Sequence, residues 1–336
     1  MPEFYTGRAV RIAQTISRQL FMLLLQLVAL WFIVMVSVFP HGNHSNTRRP
    51  MSKLAASPPS ADPIDALIKS IRIPPRPSLL ADLQRELASS DPSPEAIARI
   101  AARDVGVAAA LLKLANSSFY GGKRKAKSVE QAILFLGINQ VASLMTGLLA
   151  RQAIAADSGA LANFWDISTR RAQAMVYLSR RMRIGEADVA HTFGLFCDTG
   201  VPLLMDRFPG YAATFEAAGA DAGRPFTALE DERHSTNHTA LGCLLARNWG
   251  LSAEVGWAIL HHHDYAVLDD GATHDAVRSL VALSVLAERA IQKYQGHAGS
   301  LEWDKGGERA CAYLGLEDDE TGDLLDALHE ALHDDA

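Results

Sequence analysis

Cysteine is scarce in this chain: three residues in 336, Cys197, Cys243 and Cys311, with no two close together. That excludes a disulfide scaffold and a zinc ribbon or finger, and it fits a reducing compartment. Sustained apolar–polar alternation and long β-branched runs are missing too, which leaves little from which to build strands. Positive charge is not in excess, since the formal net charge is −6. The basic footprint of a nucleic-acid binder is therefore absent, and no nucleic acid is expected as a partner. The nucleophile elbow, the P-loop and the glycine fingerprint of dinucleotide binding are also missing. From Ala310 to Ala336 there is no Lys or Arg, while nine acidic residues stand there. What is present in quantity is apolar material, at 49% of the chain. That is enough to bury a substantial core, and it excludes global disorder.

The one long hydrophobic run lies at 20–39, LFMLLLQLVALWFIVMVSVF. Twenty helical residues span about 30 Å, the hydrocarbon thickness of a bilayer. Arg18 precedes the run and Arg48 and Arg49 follow it, so flanking charge sets no orientation. Two readings of residues 1–50 follow. They form a single membrane anchor tethering a cytoplasmic domain to the inner membrane, or they lie outside the working protein, which then starts at Met51. Residues 51–78 are a polar, proline-containing lead.

From Asp62 onward the pattern is helical. Ser93-Pro94-Glu95 starts one helix, with Ser as N-cap and Pro at the first helical position. Ser128 to Gln131 is a capping box, and Gly137 ends its helix. Further helices are expected at 139–156, 160–183, 186–206, 238–249, 252–263 and 274–293. Pro74, Pro75 and Pro77 mark an extended linker, and 219–225 reads as a loop. Residues 296–336 form an acidic tail, with Leu324, Leu325, Leu328 and Leu332 at helical spacing. The expected fold class is all-α: a compact, multi-helix domain.

Three stretches carry a resemblance: IRIPPRPSLL at 71–80, ARDVGVAAALLKLANSSFYGGKRKAKSVEQAILFLGINQVASL at 102–144, and TNHTALGCLLARNWGLSAEVGWAILHHHD at 236–264. In this order and spacing they resemble the HDOD domain, an output-type relative of the HD superfamily of metal-dependent phosphohydrolases. The resemblance covers 64–295 and implies a compact HD-like helical fold. Hydrolysis in that superfamily takes a His, an adjacent His-Asp pair and a later Asp around a divalent metal. By resemblance the matching positions here carry Ile167, Cys197, Asp198 and Val285, so one ligand of four remains. The resemblance thus implies no catalytic residues, no metal and no cofactor.

A remnant pocket is expected from Cys197, Asp198, His238, His262 and His263. Cys197, Asp198, His238 and one of His262 or His263 could in principle make a four-ligand zinc site. In the alternative, the histidines ending the 252–263 helix serve its dipole, and Asp198 makes a salt bridge or cap. His191 and His234 have no evident role. Lys123, Arg124, Lys125 and Lys127 form a basic loop, either a solvated turn or a docking point for an acidic partner or phosphate. The function implied is a bacterial regulatory module without catalysis, acting on another signalling protein. The alternatives are a degenerate phosphohydrolase, or a nucleotide or second-messenger sensor.

Overall fold

The computed structural model describes residues 73–121, 125–154, 159–297 and 299–334. Every regular element among them is helical, and residues 61–336 cluster as one compact unit. No described helix is long and apolar enough to cross a membrane; the hydrophobic run at 20–39 lies outside the described residues.

The first half comprises α1 (Ser78–Leu87), α2 (Pro94–Ala102), α3 (Val105–Ala115), α4 (Ser118–Gly121), α5 (Val129–Leu136) and α6 (Ile138–Ala153). Local sequence sets these boundaries. The Ser93 hydroxyl accepts from the Ala96 amide to open α2, and Ser128 accepts from Gln131 to open α5. The Gln131 side chain reaches back to the Lys127 amide at 2.8 Å, one residue beyond the N-cap. Gly137, at φ 86°, ends α5 and starts α6 at once, a backbone conformation that disfavours other residues. Asn116 closes the LANSSFYG segment by bonding both sides of Ala126: its amide donates to the carbonyl at 2.8 Å and its oxygen accepts from the N–H at 2.7 Å.

The second half comprises α7 (Gly159–Met182), α8 (Ala187–Phe196), α9 (Gly200–Arg207), α10 (Tyr211–Gly219), α11 (Thr227–His234), α12 (His238–Asn248) and α13 (Ala253–His261). A 3₁₀ turn (Tyr265–Leu268) follows, then α14 (Asp275–Tyr294), α15 (Leu301–Leu314) and α16 (Asp318–Asp334). Helix α7 packs closely on α8, because a Cβ on Gly194 would come within 2.9 Å of the Ala172 backbone. Phe193, Phe196, Met175, Leu178 and Trp249 lie fully buried in the core around this contact. The proline linker is tied to that core, since the Trp249 indole donates to the Pro74 carbonyl at 2.9 Å.

The single helix expected at 186–206 is two helices, broken at Cys197–Thr199. At the break Gly200 comes so close to the start of α12 that a Cβ there would lie 2.0 Å from the His238 carbonyl oxygen, an approach only glycine allows. That approach places Asp198 opposite His238. In the acidic segment, Leu301–Leu314 and Asp318–Asp334 are helical, with Leu328 and Leu332 buried. Helix α15 lies along α14 and the 3₁₀ turn, and it carries Glu302 into the site.

Candidate functional site

A cavity of about 370 Å³ opens beside the α8–α9 break. Ile167, Cys197, Asp198 and Val285, the four positions singled out by the family resemblance, all line it. The fold thus brings the expected positions together, and three of the four hold side chains that cannot ligate a hard divalent ion. Val285 is 5% exposed. Cys197 is buried, its sulfur accepting from Arg171 at 3.1 Å, and burial pushes the thiol far above its ordinary range. These residues do not fit the metal set of an HD hydrolase.

Asp198 is the centre of a different arrangement. Its Oδ2 pairs with the Arg171 guanidinium at 2.8 Å. Its Oδ1 faces His262 Nε2 at 3.2 Å and His238 Nε2 at 3.6 Å, and those two nitrogens are 3.4 Å apart. Ligand atoms of Asp198, His238, His262 and His263 all lie within 4.8 Å of one another. Burial opposes ionisation of Asp198, but Arg171 and the two histidines outweigh it and hold the carboxyl well below its ordinary range.

Each imidazole is oriented through Nδ1. His238 Nδ1 meets Glu230 at 2.7 Å, and Glu230 also accepts from the Tyr211 hydroxyl. His262 Nδ1 donates to the Ile259 carbonyl at 2.7 Å. His263 Nδ1 meets Glu302 at 2.8 Å, and Glu302 accepts from Tyr265 at 2.6 Å and Lys305 at 2.8 Å. Burial lowers the His263 pKa to about 4, so at neutral pH it is an uncharged donor. Burial opposes charge on His238 as well, but Glu230 and Asp198 outweigh it and raise its pKa. Glu302 is drawn down to about 2 because the bonds from His263, Lys305 and Tyr265 exceed its desolvation.

Sequence reasoning named the four converging residues and missed their supports: Arg171, Glu288, Glu230, Tyr211 and Glu302. One signal existed. Arg171 sits on the same face of α7 as Ile167 and Met175, and a cation on an apolar stripe needs a buried partner. It finds two, Asp198 and Glu288, the latter at 3.0 Å. Of the lone histidines, His191 bonds Ser143 at 2.6 Å inside the core, and His234 bonds Thr214 at 3.0 Å. In the basic loop Lys125 donates to the Asn116 carbonyl and Lys127 is exposed; Lys123 and Arg124 lie outside the described residues.

The helical fold and its histidine–aspartate cluster define a domain of the HD type. The HDOD domain matches residues 73–265, and the chain belongs to that family. A Treponema pallidum protein without assigned function is 25% identical over 215 residues, and this chain spans 40% of its length. Among solved structures, an HDOD domain protein of unknown function from Geobacter sulfurreducens superposes with TM-score 0.62 at 18% identity, covering 80% of this chain and 93% of that one. A candidate phosphohydrolase from Shewanella amazonensis gives 0.60 at 20% identity over 81% and 98%. A candidate signal transduction protein from Marinobacter aquaeolei gives 0.61 at 21% identity over 80% and 59%. These likenesses show the fold.

Proposed function

We propose that the protein is a regulatory HDOD module that signals through contacts with another protein and does not hydrolyse phosphoesters. One observation carries the reading: Ile167, Cys197 and Val285 line the cavity where the superfamily's reaction needs metal ligands. Without ligands at those three positions the superfamily's metal set for activating water is incomplete. Family membership and the description of the Marinobacter aquaeolei structure as a candidate signal transduction protein support a signalling role. Contact surfaces are available in the first half. Leu134 is 76% exposed and Val105 82% exposed, and the exposed Lys125 and Lys127 lie just before α5.

The test is capture from lysate of the source cells with the full chain, followed by direct binding between the purified partner and Leu134→Asp. The reading expects micromolar or tighter binding, weakened at least roughly tenfold by this charge in an apolar contact. A protein that engages no partner, yet turns over a phosphodiester, contradicts it. A second reading, ligand sensing, is favoured by the cavity itself, whose volume lies within the range of small-molecule sites. It expects a ligand that shifts thermal stability and changes partner affinity.

A further inference from the structure

We infer that the cavity lined by α7 and α14 takes a small organic cation, an amine or guanidine on an aromatic or apolar body, with Glu288 and Gln292 receiving its head. This rests on the ligand-sensing reading above and names the chemical class of its ligand.

The protons of the cavity wall are already committed. Every nitrogen of the Arg171 guanidinium is engaged, by Asp198 at 2.8 Å, Cys197 at 3.1 Å and Glu288 at 3.0 and 3.3 Å. The hydroxyls of Ser168 and Ser284 donate to the Phe164 and Val281 carbonyls of their own helices, at 2.9 and 2.7 Å. The Tyr265 hydroxyl is spent on Glu302 at 2.6 Å. Phosphate groups are held by free guanidinium, ammonium and backbone N–H groups. The one guanidinium on this wall is shared between two carboxylates, so a nucleotide phosphate finds little to bind.

Acceptors, by contrast, are in surplus. Ser284, Glu288 and Gln292 stand at i, i+4 and i+8 on α14, which puts them along one face of the helix, and all three line the cavity. Glu288 Oε2 is held by Arg171, while Oε1 accepts the Gln292 amide at 3.2 Å and keeps a further lone pair. Gln292 Oε1 is buried with no partner. A buried acceptor without a donor leaves its desolvation cost unrecovered, and an N–H group on a ligand recovers it.

Charge points the same way. Asp198, Glu288 and Glu302 line the cavity against the single cation Arg171, and Lys305 reaches Glu302 at 2.8 Å. One negative charge is left over. Glu288 is the most open of the three carboxylates, its side chain 30% exposed against 16% for Asp198 and 14% for Glu302. It is therefore the acid that a ligand meets first.

The rest of the lining selects the body of the ligand. Phe164, Phe215, Phe226, Tyr265 and Trp303 all face the cavity. Phe215 and Phe226 pack with ring centroids 5.0 Å apart, and Phe226 stacks on His263 at 4.6 Å. Such rings bury an apolar body and attract a cation through their faces. The volume of about 370 Å³ sits at the low end of the range for small-molecule sites, which suits a body of one or two rings and is small for a dinucleotide.

The test uses the full chain in chelator, with isothermal titration calorimetry and Tm as readouts. Phenethylamine and tryptamine are the cationic probes, each compared with its alcohol and its carboxylate as neutral and anionic counterparts. GMP and cyclic di-GMP represent the nucleotides. At least one amine should bind one to one and raise Tm, roughly tenfold or more tightly than its alcohol, with the carboxylate weaker still. Glu288→Gln should weaken that amine at least roughly tenfold and leave the alcohol within about twofold. Should this variant fail to fold, Gln292→Met, which removes the unpartnered oxygen, should weaken the amine several-fold. Equal affinity for amine, alcohol and carboxylate overturns the inference, as does an amine affinity unchanged in the variant. Binding of GMP or cyclic di-GMP with no response to either amine also overturns it, and leaves the sensing reading standing. A chain that binds neither amines nor nucleotides removes both, and signalling through protein contacts remains.

Discussion

Replacing Arg171 by Met in metal-free protein should destabilise the domain by several kcal/mol. Arg171 is 7% exposed and joins α7 to both the α8–α9 break and α14. Its guanidinium bonds Asp198 at 2.8 Å and Glu288 at 3.0 Å. Burial works against its charge, but Asp198, the Cys197 sulfur and Glu288 raise its pKa well above the ordinary value. Met conserves much of the apolar stem, so the loss is electrostatic. Glu288, whose side chain is 30% exposed, can rehydrate at little cost, whereas Asp198 at 16% cannot. Breaking a buried pair by removing one partner costs about 3–5 kcal/mol. With most of the penalty falling on Asp198, about 3–4 kcal/mol is expected, or roughly 10 °C in Tm for a domain of this size. Differential scanning calorimetry in chelator measures it. Arg171→Lys should lose about half as much, because an ammonium cannot span both carboxylates. Adding Asp198→Asn to Arg171→Met should restore part of the loss by removing the orphaned charge. An Arg171→Met Tm within about 2 °C of wild type would refute the reasoning.

Two further outcomes are expected. His191 is buried against Ser143, and burial lowers its pKa from 6.5 to about 4. The unfolded chain then binds the proton more readily, so the contribution is complete above pH 6.5 and is lost as pH falls toward 4, by up to about 3 kcal/mol. Urea melts of wild type and His191→Leu across that range should show a shallower slope in the variant; equal slopes would exclude His191 as a contributor. Val285→Asp places a carboxylate in the cavity wall near Asp198 and Glu288. It should cost about 3 kcal/mol with no recovery in Mn²⁺. A metal-dependent recovery of Tm would mean that the wall is still poised for ligation.

Much of the fold was legible because its signals are local. Ser93 and Ser128 act as N-caps through their own next three residues, and Gly137 turns the chain where the apolar spacing stops. The break at Cys197–Thr199 was not legible, because the contact made there, Gly200 against the His238 carbonyl, joins residues about forty apart in sequence. Site legibility divides the same way. Sequence placed Cys197, Asp198, His238, His262 and His263 in one pocket, but residue types alone could not order them. Cys197 turns its sulfur to Arg171 and the Gly194 carbonyl and stays out of the cluster. The expectation of no metal counted the positions of the hydrolase set. The convergence on Asp198 uses histidines outside that set, and it is oriented by Glu230 and Glu302. Neither acid carries a motif, and each meets its histidine only once α11, α12 and α15 have packed.

The central claim is that this pocket is built to hold a fixed arrangement and not to turn over a phosphoester. The direct measurement is phosphate or nucleotide release by full-length protein from generic phosphomonoesters and phosphodiesters, with Zn²⁺, Mn²⁺ or Mg²⁺ added in turn. The account predicts release indistinguishable from the metal blanks and unchanged in Asp198→Asn. Release that depends on metal and disappears in Asp198→Asn would contradict it.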